Sequence, residues 1–135
     1  MAKWFNKGEE NEEEASALRN AWIDGRVELF APPLIIYEVC NSIWKNPNLE
    51  RDHALKLAKL VIRLAPNLVE IEEEEYEEAM ALAKKSKVTF YDAVYIALSK
   101  FHKFPMLSSD NTQLEVAKGY TTSSHIRSLR NLLRT

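Results

Sequence analysis

Three carboxylates stand in stretches of the sequence that otherwise carry no charge. Glu38 is the only charged side chain in the run LFAPPLIIYEVCNSIW, and Asp92 is the only one in VTFYDAVYIALS. Asp110 directly follows the run PMLSS. An ionised carboxylate among apolar side chains loses hydration, so it must be protonated, paired, bound to a cation or turned towards water. The three acids are therefore candidate ligands for a positively charged partner.

Each acid also has a structural explanation. Thr89 and Asp92 have the spacing of a capping box, with Asp92 at the third helical position. Asp110 can cap a helix that starts at Asn111. Glu38 can simply face water if its helix is peripheral. These would be three separate coincidences, whereas one shared site accounts for all three acids.

The residue types favour a hard divalent cation. Carboxylates without a set of His or Cys ligands bind Mg²⁺ or Mn²⁺ through oxygen and water. Such ions assist phosphodiester hydrolysis, in which they activate water and neutralise charge on the phosphate. No zinc spacing, Ser-His-Asp set or glycine-rich phosphate loop competes, because the sequence has only 3 Gly and its 3 His are scattered.

Short strands alternate with helices along the chain, which predicts an α/β architecture with a parallel sheet. The carboxyl ends of parallel strands and the adjoining helix starts converge at one edge, where ligands bind. We therefore expect Asp92 and Asp110 at that edge and Glu38 near it. The predicted strands are residues 26–31, 68–71, 105–109 and 119–122, and the predicted helices are residues 12–25, 34–45, 50–65, 72–87, 88–101, 109–118 and 123–134.

Length and composition indicate one soluble globular domain over residues 1–135. The single Cys excludes an intrachain disulfide, and the sequence shows neither a secretory h-region nor a membrane-spanning run, so we expect a cytoplasmic protein. Charge is uneven: residues 1–78 carry 9 Lys/Arg against 17 Asp/Glu, and residues 79–135 carry 9 against 3. The basic second half is compatible with a phosphate-binding surface or with solvated helix faces.

Several segments together resemble the PIN-domain family, including the VapC toxins of type II toxin–antitoxin pairs. PPLIIYEVCNSIWK contains Glu38 and Asn41, and VTFYDAVYIALSK contains Asp92. PMLSSD matches the family's Thr/Ser-x-Asp motif with Ser108 and Asp110, and KWF followed by EEN is similar to the segment after the family's first strand. The resemblance spans nearly the whole chain in the expected order.

The resemblance implies a metal-dependent endoribonuclease with a three-layer α/β fold and the strand order 3-2-1-4-5. Glu38, Asp92 and Asp110 would hold Mg²⁺ or Mn²⁺ and carry the catalysis. Ser108 would support the site by hydrogen bonding, and Asn41 would orient Glu38 from one turn further along the same helix. The implied partners are an RNA substrate, an antitoxin protein and a second copy in a homodimer.

One feature of the family pattern is missing. The family begins with a central strand that carries an Asp, in a pattern like V-D-T/A-S, whereas this sequence starts at Met1-Ala2-Lys3-Trp4. The explanations are a start further upstream, which we favour, a strand supplied by another segment or subunit, or a degenerate relative. For a chain without this strand we expect weaker metal binding and impaired cleavage, because a backbone pairing partner and one ligand are lost.

Two further functions remain open from the sequence. The first is a non-catalytic or truncated PIN-like protein that acts by binding a peptide or itself, through apolar side chains such as Trp4, Phe5, Trp22 and Trp44. The second, less favoured, is a DNA nuclease with the same acidic chemistry. Mn²⁺-dependent RNA cleavage that Asp92→Asn abolishes without loss of folding would exclude the non-catalytic alternative.

Overall fold

The computed structural model describes residues 1–134. The chain divides into two compact units, Met1–Val69 and a second that begins at Glu70. In chain order the elements are a 3₁₀ helix Ala2–Trp4, α1 Glu12–Ile23, β1 Phe30–Ala31, α2 Leu34–Lys45, α3 Arg51–Arg63, β2 Asn67–Leu68, α4 Glu73–Ser86, α5 Phe90–His102, β3 Met106–Ser108, α6 Asn111–Ala117, β4 Ser123–His125, a 3₁₀ helix Ile126–Ser128 and α7 Leu129–Leu133.

The first unit packs α1, α2 and α3 with a parallel pair of strands. Pro33 precedes α2, and proline suits a helix start because its fixed φ is already helical. The helix buries Val39 and Ile43. Trp4 stacks on Trp22 with ring centroids 5.8 Å apart, and its indole N–H donates to the carbonyl of Ala15 at 2.8 Å. β1 pairs with β2 in register Phe30 to Asn67 and Ala31 to Leu68.

The second unit is built on the helix pair α4 and α5. Lys87 ends α4 in the left-handed conformation at φ 55°, and α5 begins three residues later. The two helices run antiparallel, because residues near the start of α4 contact residues near the end of α5 through the pairs Glu75–His102 and Glu78–Lys100. β3 pairs in parallel with β4, and the register joins Met106, Leu107 and Ser108 to Ser123, Ser124 and His125.

The observed strands confirm the predicted α/β architecture with parallel pairing. In the implied order 3-2-1-4-5, the family's second and third strands are neighbours, and so are its fourth and fifth. Those two pairs are the two-stranded sheets found between residues 1 and 134, as β1 with β2 and β3 with β4. No helix in this part of the chain is long and apolar enough to cross a membrane.

The end of the chain differs from the prediction. We expected a strand at 119–122 and a helix from Ser123, but Ser123–His125 form β4 and the last helix begins at Leu129. The backbone N–H groups of Tyr120 and Thr121 both donate to the carbonyl of Ala117 at 2.9 Å. Those bonds close a turn after α6, so the β-branched signal of Thr121 and Thr122 marks the approach to the strand rather than the strand itself.

Candidate carboxylate site

Asp92 lies in the first turn of α5. Its backbone N–H donates to the Thr89 hydroxyl at 3.1 Å, so the predicted N-cap is present. The side chain is partly buried, and this burial is the main reason that the pKa of Asp92 is raised above its ordinary value. A hydrogen bond with the Thr89 side chain opposes this shift, whereas the negative charge of Asp110 raises the pKa further.

Asp110 follows β3 and caps α6. Its carboxylate accepts the backbone N–H of Gln113 at 3.0 Å, and its own backbone N–H donates to the Ser108 hydroxyl at 3.0 Å. The cap that the sequence allowed is therefore present here as well. The exposed carboxylate nevertheless acts electrostatically on Asp92. Asp110, which follows β3, therefore lies near the start of α5, where Asp92 is found.

The two aspartates fit the donor set of a hard cation. Each ionised carboxylate offers about four lone-pair sites, and helix capping occupies only some of them. Burial is the main reason that the pKa of Asp92 is raised, and the negative charge of Asp110 adds to it; a divalent cation offsets this repulsion because it attracts both charges. Oxygen ligands without His or Cys suit Mg²⁺ or Mn²⁺ completed by water.

The remaining predicted site residues are placed as follows. Glu38 and Asn41 are exposed side chains on successive turns of α2, in the first unit. Ser108, Asp92 and Asp110 belong to the second unit. Over residues 1–134, no group of three or more His, Cys, Asp or Glu side chains is arranged to hold a metal ion. The structure therefore brings Asp92 and Asp110 together, and the ligand role of Glu38 stays a prediction.

Gln113 is a residue of this site that the sequence analysis missed. Its side chain is 8 % exposed, and its amide reaches two elements at once. The Ser108 hydroxyl donates to Oε1 at 2.6 Å, and Nε2 donates to the backbone carbonyl of Asp92 at 3.3 Å. One signal was available: Gln113 lies four residues before Ala117 on the buried face of α6, and a polar side chain at such a position must be hydrogen-bonded.

A second buried polar contact lies at the other end of α5. Glu75 is 4 % exposed although it belongs to the run of four glutamates at residues 72–75. His102 Nε2 lies 3.1 Å from its Oε1. The other oxygen, Oε2, is buried without a hydrogen-bond partner in the described part of the chain. Its spacing with Ala79 and Leu82, four and seven residues later, places Glu75 on the buried face of α4.

Comparison with known proteins gives matches of three kinds: to a family model, to a relative in sequence and to a solved structure. The family model of the PIN domain matches residues 2–119. The protein called Exonuclease VapC9 from Pyrobaculum aerophilum is 26% identical over 98 residues, which is 73% of this chain and 74% of that protein. The crystal structure of PAE2754 from Pyrobaculum aerophilum has a TM-score of 0.70 at 24% sequence identity, and the match covers 90% of this chain and 88% of that one. The structural likeness shows a shared fold.

Proposed function

The chain belongs to the PIN domain family, and on that basis we propose that it is a metal-dependent endoribonuclease and the toxin of a type II toxin–antitoxin pair. The observation that carries the nuclease proposal is that Gln113 hydrogen-bonds both to the Asp110 carboxylate and to the backbone carbonyl of Asp92, so that two acids from different elements are neighbours. The name of the relative, Exonuclease VapC9, supports a nuclease of the VapC type. That name specifies neither RNA as the substrate nor cleavage inside the RNA strand, so both are part of our own proposal.

The proposed chemistry rests on two acids of the second unit, and Glu38 of the first unit is added to them from the family resemblance. Asp92 and Asp110 would hold Mg²⁺ or Mn²⁺, and Glu38 is the proposed third ligand, with Asn41 as the residue that orients it. When bound, such an ion supplies an activated water and neutralises charge on the scissile phosphate. The Ser108 hydroxyl fixes the backbone at Asp110, because it accepts that residue's N–H at 3.0 Å. The carboxylate therefore leaves β3 in one defined direction.

Basic residues close to the site support a nucleic-acid substrate. Lys84 and Lys85 lie in the last turn of α4, and Lys87 follows it, two residues before the cap of α5. All three are exposed. Lysines on a surface attract phosphates and make binding strongly dependent on salt. We propose that they contact the RNA backbone as it approaches Asp92.

The remaining parts of the proposal concern partners and location. We propose an antitoxin protein as the inhibitor, a homodimer as the assembly, one PIN-like domain over residues 1–135 and the cytoplasm as the compartment. Exposed aromatic side chains favour a protein partner, because Tyr37 is 73% and Trp44 is 77% exposed seven residues apart on α2. The same observation supports the second candidate function, a non-catalytic protein that acts through this contact. By contrast Trp4 and Phe5 are buried in the core.

Cleavage of a labelled RNA with Mn²⁺ tests the proposal. Asp92→Asn and Asp110→Asn should each abolish cleavage, and excess EDTA should do the same. Glu115→Gln is the matched control, because Glu115 is an acid of α6 that pairs with Lys118 on the surface. A circular RNA separates the two modes of attack, since only an endonuclease opens it. Cleavage that persists in both aspartate variants refutes the assigned site, and a folded wild-type protein with no cleavage favours the non-catalytic function.

A further inference from the structure

We propose that Gln113 is a positioning residue that sets the separation of the Asp92 and Asp110 carboxylates, and this inference rests on the proposed function. Three elements of the second unit meet at this side chain. Oε1 accepts from Ser108 at the end of β3, and Nε2 donates to the backbone carbonyl of Asp92 in α5. The backbone N–H of the same residue donates to the Asp110 carboxylate at 3.0 Å.

The direction of each bond is determined by its partners. The carbonyl oxygen of Asp92 can only accept, so the NH₂ group of Gln113 must face it. The amide oxygen is then left to accept the Ser108 hydroxyl. That hydroxyl also accepts the backbone N–H of Asp110, so the series of hydrogen bonds runs from Asp92 through Gln113 and Ser108 to Asp110. The amide offers a donor and an acceptor on one planar group without carrying a charge.

Burial makes the link stiff. Gln113 is 8 % exposed, so water competes poorly for its hydrogen bonds. Leu114 and Ala117, which are also buried, hold the same face of α6 in place. Asp92 and Asp110 therefore do not vary independently in position. A cation that binds both would find them already spaced, which lowers the cost of ordering its ligands.

If Gln113 had only a structural role, its replacement would have a different effect. If Gln113 only stabilised the fold, its loss would lower the unfolding free energy and leave the metal affinity of the folded protein unchanged. A positioning role predicts weaker metal binding in protein that remains folded. Residues that orient metal ligands typically cost about 10–100-fold in metal affinity when they are replaced. Raising the concentration of the metal should then restore the cleavage rate.

The test is a titration with Mn²⁺ in the absence of RNA, followed by electron paramagnetic resonance of the free ion. Gln113→Met keeps the side-chain volume and the backbone N–H to Asp110 but removes both amide bonds, so its Kd for Mn²⁺ should rise about 10-fold or more. Excess Mn²⁺ should restore kcat, with KM for RNA unchanged. Val116→Ala is the matched control: it loses a half-buried apolar side chain of the same helix that takes no part in the hydrogen-bonded link, and it should keep the wild-type Kd.

Ser108→Ala removes the hydroxyl end of the link, so it serves as the second variant if Gln113→Met does not fold. Both single variants and the double variant should show similar losses of affinity, because they break one chain of contacts. Additive losses, or a wild-type Kd in folded Gln113→Met, would overturn the positioning role. A wild-type protein that binds no Mn²⁺ would overturn the proposed metal site itself, and this inference with it.

Discussion

The contact between Glu75 and His102 gives the sharpest prediction about stability. The carboxylate is 4 % exposed; its Oε1 lies 3.1 Å from His102 Nε2, and its Oε2 is buried without a hydrogen-bond partner among residues 1–134. His102→Phe removes the donor but keeps an aromatic ring against Phe104, whose centroid lies 5.9 Å from that of His102. The substitution therefore tests the hydrogen bond separately from the ring contact.

The expected loss in the free energy of unfolding depends on how deeply the Glu75 and His102 side chains are buried. Removing one partner of a fully buried pair costs about 3–5 kcal/mol, but the imidazole is 34% exposed, so water can reach the space it leaves. A hydrogen bond to a charged group contributes about 1.5–3 kcal/mol. We therefore expect His102→Phe to lower the free energy of unfolding by about 2 kcal/mol. In Glu75→Leu/His102→Phe the loss should shrink to below about 1 kcal/mol, because no buried charge remains.

Urea denaturation followed by circular dichroism at 222 nm measures these differences. Fluorescence of tryptophan is not suitable, because Trp4, Trp22 and Trp44 all lie in the first unit. Glu78→Gln is the control: Glu78 pairs with Lys100 between the same two helices, yet their side chains are 29% and 41% exposed, so the loss should stay below about 1 kcal/mol. If the double variant loses as much as the sum of the two single variants, the buried carboxylate does not depend on His102.

Three further predictions follow from the second unit and the core of the first. The raised pKa of Asp92 means that the folded protein without metal binds more protons than the unfolded chain, so stability should fall as pH rises from 3.8 through the folded pKa. Asp92→Asn should therefore be more stable than wild type at pH 7 and gain nothing at pH 3, as measured by urea denaturation at each pH. Thr89→Ala should cost about 1 kcal/mol by loss of the cap and raise the pKa of Asp92 further, which NMR titration of the carboxyl carbon would detect. Trp4→Phe should cost about 1 kcal/mol or more, because it leaves the carbonyl of Ala15 without its buried donor, and thermal unfolding that matches wild type would contradict this.

Much of the helical framework is predictable from local sequence. The apolar spacing after the Pro-Pro pair and the block before Pro47 place α2 at Leu34–Lys45, as the structure has it. The spacing of Thr89 and Asp92 predicts the start of α5, and the cap is present. These features succeed because each depends on residues within one turn of the helix.

Features that depend on distant residues were harder to predict. β4 lies further along the chain than predicted because the backbone N–H groups of Tyr120 and Thr121 bond to Ala117 at the end of α6. The strand propensity of threonine does not reveal these bonds. The burial of Glu75 was not predicted because its partner His102 lies 27 residues later, in another helix. Gln113 was missed for the same reason, since its contact with Asp92 spans 21 residues. Buried polar contacts of this kind become visible only when the helices are packed.

Anomalous scattering from a crystal soaked in Mn²⁺ would locate the ion relative to the Asp92 and Asp110 carboxylates. We expect a peak within about 2.0–2.6 Å of carboxylate oxygens from both Asp92 and Asp110, and this peak should disappear in Asp92→Asn. A well-ordered crystal of the wild-type protein that shows no Mn²⁺ between these two side chains would contradict the claim that they form a metal site.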